Sequence, residues 1–169
     1  EYIQGAKVII IDPEREYRAL CNKVDGAWIN VTGGKGRINP LQIRTLPISK
    51  EGEGEDEYDE QSPFNAQDPL RSHLRLMRTF FSLYLRDLSD VERAILEDAL
   101  IAVYAEKGIY FTTDPKDIEP EQWPIMSDLY QYVLEQQKKN PELYQRLAIL
   151  LKSPAEGADA NFWNGPTTV

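Results

Sequence analysis

One cysteine, one histidine and two methionines are all that 169 residues contain of those types. A lone Cys21 cannot close an internal disulfide, and one cysteine with one histidine cannot build a Cys/His zinc set. No apolar run approaches the roughly 20 residues a membrane-spanning helix needs. The first residues, Glu1 to Gly5, have neither the basic start nor the apolar stretch of a secretion signal. These absences lead to the expectation of a cytoplasmic chain without a transmembrane segment.

A phosphate-binding loop is missing as well. That loop needs G-x-x-x-x-G-K-[ST] between a strand and a helix. Gly33-Gly34-Lys35-Gly36 comes nearest, but Lys35 is not followed by Ser or Thr, and Asn39-Pro40 stands where the helix would begin. It reads as a plain hairpin-type loop.

Charge is present but uneven. The net charge is −9, yet residues 51–60 (EGEGEDEYDE) carry seven acids and no base, and without them the rest sums to −2. The acidity is therefore local. Ser49 to Ser62 has too little apolar surface to offset its ordering entropy, which predicts a mobile loop.

Before that loop the pattern is mixed. Lys7 to Ile11 is a β-branched apolar run stopping at Asp12-Pro13, which predicts a strand buried on both faces of a parallel sheet. Asp12 has the chemistry of a helix N-cap and Pro13 that of a first helical position. Tyr17, Leu20, Cys21 and Val24 form one apolar helical stripe ending near Asp25-Gly26, with Cys21 in the core. Ala27 to Val31 predicts a second strand.

After the loop the pattern is helical. Asp68-Pro69 is another cap and first-turn pair. Leu70, Leu74, Met77, Phe81, Tyr84 and Leu88 step by 4, 3, 4, 3 and 4, a heptad-like seam on a helix to about Asp87. Ser89-Asp90-Val91-Glu92 is a capping box, opening a helix through Val103 that Gly108 closes. Further helices are predicted from Met126 to Lys138 and from Asn140-Pro141, the last turning Leu143, Leu147 and Leu150 inward. None is apolar all round, so together they predict a small bundle. The tail from Ala155 is turn-rich around Asn164-Gly165-Pro166.

Asp12, Glu14 and Glu16 would follow the carboxyl end of the first predicted strand, where open parallel sheets place their ligands. A carboxylate there can orient a water for attack on a γ-phosphate. The same Asp12 also fits a plain helix cap, since first turns prefer acids. Arg71, Arg75, Arg78 and Arg86 line the side of the first long helix away from its seam, a pattern that fits a solvated face, phosphates or an acidic partner, the acidic loop just upstream included. His73 reads as a packing residue, and Trp123, Tyr130, Tyr132 and Tyr144 as core and edges of the bundle.

The string Val8-Ile9-Ile10-Ile11-Asp12-Pro13-Glu14-Arg15-Glu16-Tyr17, with Ile38-Asn39-Pro40-Leu41 about twenty residues on, resembles a stretch of the conjugative-transfer ATPases of type IV secretion systems. It is the stretch that follows their phosphate-loop helix. These are relatives of the HerA/FtsK-type translocases. The resemblance continues in Ser127-Asp128-Leu129-Tyr130 and in Phe162-Trp163-Asn164-Gly165-Pro166-Thr167, in the family's order. It implies an α/β fold, a partial RecA-like P-loop ATPase core (strand-helix-strand) with a larger all-α helical subdomain inserted. The implied division is 1–48 in the ATPase core, 49–66 an acidic mobile loop, 67–153 the helical subdomain and 154–169 a return toward the core.

The resemblance further implies that the parent protein uses ATP and Mg2+. Asp12 and Glu16 would be catalytic there, Glu14 and Asn39 nucleotide-proximal, and no residue of this chain a dedicated metal ligand. Lacking the phosphate loop, this fragment alone is expected to be inactive. Implied partners are other subunits of the same ATPase, in a homo-oligomer, and type IV secretion components at the inner face of the cell membrane, with no direct nucleic acid binding. The alternative reading is a non-enzymatic helical module that docks partner proteins.

Overall fold

The computed structural model describes residues 8–28, 36–44 and 68–168. The expectations for Lys7, for residues 29–31 of the second strand, for Gly33 to Lys35 and for the acidic loop lie outside the described residues.

Regular structure among the described residues is helical throughout. It comprises α1 (Arg18–Lys23), α2 (Pro69–Tyr84), α3 (Asp90–Glu106), α4 (Met126–Lys139), α5 (Pro141–Glu156) and α6 (Ala160–Trp163), with 3₁₀ turns at Pro115–Asp117 and Pro120–Gln122. This corrects the α/β expectation and its RecA-like strand-helix-strand core. Val8 to Ile11 forms no strand, nor do Ala27 and Trp28. Ile9 and Ile11 are 91% and 89% exposed. A strand leaves its N–H and C=O groups unpaired until a neighbouring strand supplies partners, and none does so among the described residues. A helix closes its own hydrogen bonds, so the helical half of the reading survives without a neighbour.

Even α1 differs from expectation. Arg15 has φ 63°, which an α-helix cannot accommodate, so the helix starts at Arg18 and not at Pro13. It buries none of its residues. Cys21 is half-buried on its side and not part of a core.

The bundle follows its pattern closely. Asp68 caps α2 by accepting from the Arg71 amide, with Pro69 in the first turn. Leu70, Leu74, Met77 and Phe81 are buried on the seam, and Tyr84 is partly so. The Ser89 hydroxyl accepts from the Glu92 amide at 3.2 Å, and the Glu92 carboxylate accepts from the Ser89 amide at 2.8 Å, so the capping box of α3 is complete. Gly108, at φ 76°, closes that helix. From α5, Arg146 reaches back to the Glu92 carboxylate at 2.6 Å and to the Asp87 carbonyl at 3.0 Å. Burial pushes the Glu92 pKa up, but the Ser89 donors and Arg146 outweigh it and hold the carboxyl below its usual value. α4 and α5, joined by Asn140, share the most extensive packing, with Leu129, Val133, Leu147 and Leu151 between them in the core. Trp123 and Tyr130 are buried, and Tyr132 and Tyr144 sit at the core's edge.

Candidate functional site

Residues 36–44 have no regular secondary structure, yet Asn39, Pro40, Leu41 and Ile43 are buried. Side chains hold them there. The Asn39 amide nitrogen donates to the Pro124 carbonyl at 2.9 Å, while its Oδ1 accepts from the Leu41 amide at 3.0 Å. Its backbone N–H donates to the Thr167 hydroxyl at 3.0 Å, and that of Arg37 donates to the Thr168 hydroxyl at 2.9 Å. Backbone bonds from Ile38 to the Phe162 carbonyl and from Thr168 to the Arg37 carbonyl, each 3.0 Å, complete the join. On the bundle side, the Tyr104 hydroxyl donates to the Leu41 carbonyl at 2.5 Å. His73 bonds the Pro40 carbonyl, and burial lowers its pKa to about 4, so the ring is neutral near neutral pH.

A second set of bonds ties the tail to the bundle. Asn164 Nδ2 donates to the Ser127 hydroxyl at 2.6 Å and to the Ala155 carbonyl at 2.7 Å, and its Oδ1 accepts from the Ser127 amide at 2.9 Å. One amide side chain thus pins the start of α4 and the last turn of α5. Gly165 follows at φ 136°, with the Arg37 guanidinium occupying the space a Cβ would fill; only glycine fits there. The Tyr84 hydroxyl and the Ser153 hydroxyl both donate to Asp159, at 2.5 and 2.9 Å. Burial, reinforced by the Asp159 carboxylate, pushes the Tyr84 pKa up. Trp163 lies edge-on to Phe80 and Tyr84. Three sequence blocks, Ile38–Leu41, Ser127–Tyr130 and Phe162–Thr167, therefore converge in one clasp.

The carboxylates singled out from the sequence lie elsewhere. Asp12 is half-buried, its two oxygens accepting from the Glu16 and Tyr17 amides at 3.1 and 3.0 Å. Glu14 and Glu16 are exposed. Asn39 is 3% exposed, and among the described residues its bonds run within the clasp and none joins it to Asp12 or Glu16. No three His, Cys, Asp or Glu side chains group as a metal site among the described residues.

The chain is similar to VirB4 of Thermoanaerobacter pseudethanolicus, a solved structure that it matches with 51% identity over 99% of its own length and a TM-score of 0.83. This chain is VirB4-like. It spans 40% of the length of that VirB4 chain. The resemblance to type IV secretion ATPases carried by Val8–Tyr17 and the three later blocks is thereby borne out. No protein-family model and no curated protein matches the chain.

In this VirB4-like chain the arginines of α2 are exposed, as their position off the seam requires. Arg71 pairs with Asp68 at 2.8 Å and lies over the Phe111 ring at 5.3 Å. Arg78 forms a two-pronged pair with Glu97 that raises its pKa. No helix among the described residues is long and apolar enough to cross a membrane. Sequence reasoning missed Tyr104, Pro124 and the role of Thr167 and Thr168 as acceptors. The turn signal at Asn164-Gly165-Pro166 was one local pointer to the clasp.

Proposed function

We propose that this chain is a largely helical section of a type IV secretion ATPase, whose parent hydrolyses ATP to power pilus assembly or the export of DNA or protein. The observation that carries this reading is the similarity to VirB4 along 99% of the chain. In the reading, ATP and Mg2+ belong to the parent, and this section alone does not hydrolyse ATP. The missing G-x-x-x-x-G-K-[ST] supports that, since its backbone amides and lysine hold the phosphates in P-loop enzymes. Other copies of the ATPase and secretion components at the inner membrane face are the partners. Calorimetry with Mg-ATP tests the fragment: no saturable binding at micromolar concentration is expected, and binding there contradicts the reading.

Within the parent, Asp12 and Glu16 are assigned to approach the γ-phosphate, with Glu14 nearby and Asn39 holding the adjoining segment. Glu16→Gln in the longer protein keeps size and hydrogen bonding but removes charge, and turnover is expected to fall about a hundredfold, the scale of a positioned acid–base group. Unchanged turnover would reduce Asp12-Pro13-Glu14-Arg15-Glu16 to a helix approach, the role its hydrogen bonds already support. A second reading, a helical module that docks partner proteins, is favoured by one feature, the arginine-lined edge of α2.

A further inference from the structure

α2 and α3 leave an apolar groove of about 310 Å3 between them. Leu74, Met77, Phe81, Leu96 and Leu100 form its floor, and Arg78, Ser82, Ala94 and Glu97, the carboxylate that Arg78 pairs with, stand among its walls. Arg71, Arg75, Arg78 and Ser82 step by 4, 3 and 4, so they share one edge of α2. Because Arg78 and Ser82 line the groove, that edge is the one bordering it. Arg86 follows just past the helix end. Pro69 to Arg86 contains four arginines and no Asp or Glu, in a chain whose net charge is −9. The pairs Arg71–Asp68 and Arg78–Glu97 leave both guanidinium side chains 63% exposed, and surface pairs of this kind exchange partners at little cost.

We propose that this groove docks an acidic amphipathic helix of a partner protein, an apolar side chain seated on the Leu/Met/Phe floor and carboxylates along the arginine row. The helical part of that edge, Arg71 to Ser82, extends about 16 Å at helical rise, longer than one phosphate or lipid headgroup and suited to about three turns of helix. A nucleic acid would meet the arginines but leave the floor unused, since single strands dock by stacking on exposed aromatic faces and the floor's one aromatic ring, Phe81, is 1% exposed. Helix-in-groove recognition uses both features at once. The inference rests on α2 and α3 alone and stands apart from the nucleotide reading.

The test titrates the chain into a fluorescent peptide of about 18 residues, five helical turns, with Leu at i, i+4 and i+7 and Glu on the remaining face. Saturable anisotropy is expected, weakening as salt rises. Ser82→Trp fills the mouth from an exposed position and is expected to lower affinity at least about tenfold, as is Arg75→Glu combined with Arg86→Glu. Circular dichroism checks that each variant folds; if Ser82→Trp does not, Ala94→Phe blocks the same mouth from α3. The proposal is overturned by absent binding, by equal binding of the same peptide carrying Lys for Glu, or by affinity that the folded blocking variant leaves unchanged. A single-stranded oligonucleotide that binds the arginine row more tightly than the peptide would also overturn it.

Discussion

Residues 8–28 and 36–44 were both read as parts of one α/β unit, and they end in opposite environments. The first carries the more apolar string, yet Ile9 and Ile11 stand in solvent. The second is built around Asn39, Pro40 and Leu41 and is buried with no regular structure at all. Hydrophobicity does not separate them. What separates them is who completes the backbone hydrogen bonds, because an unpaired buried N–H or C=O costs more than the apolar contact returns. Thr167, Thr168, Tyr104 and the Asn39 side chain do this for 36–44. No described residue does it for Val8 to Ile11.

The largest effect that sharpens this contrast is a pH dependence centred on His73. Its folded pKa lies near 4, below the ordinary 6.5, because burial disfavours the charged ring. The unfolded chain therefore takes up a proton first as pH falls. The His73 contribution is intact above about pH 6.5 and is lost progressively down to about pH 4, by up to roughly 3 kcal/mol. Urea midpoints across that range check this, and His73→Phe is expected to flatten the slope there. Next, Asn39→Ala leaves the Pro124 carbonyl and the Leu41 amide without partners and is expected to cost about 2 kcal/mol. Ser89→Ala, which removes the cap of α3, is expected to cost about 1 kcal/mol. Ile9→Ser is expected to change stability by less than about 0.5 kcal/mol, as exposed positions do. A loss from Ile9→Ser as large as that from Asn39→Ala would break the comparison.

The bundle was readable because its signals are local. The heptad-like steps from Leu70 to Phe81, the Ser89–Glu92 capping box and the Pro69 and Pro141 starts each act within one or two turns, and each is found where the pattern puts it. α2 ends at Tyr84, short of Asp87, and α6 went unpredicted because Asn161-Phe162-Trp163 gives too short a pattern. The strands were misread because a continuous apolar run states a need for partners without supplying them. The clasp was unreadable for a related reason. Arg37 and Thr168 are 131 residues apart, and no spacing rule links a threonine hydroxyl to an amide at that distance. The blocks that carried the family resemblance nonetheless include the residues that meet there, Asn39, Ser127, Asn164 and Thr167.

Amide hydrogen exchange followed residue by residue tests this account most directly, since it reads which backbone groups are held by structure. The amides of Arg37, Asn39 and Leu41 are predicted to be protected to a level approaching that of the α4–α5 core, while those of Ile9, Ile10 and Ile11 exchange at close to free-chain rates. Protection of Ile9 to Ile11 equal to that of Leu41, or free exchange at Asn39, would contradict it.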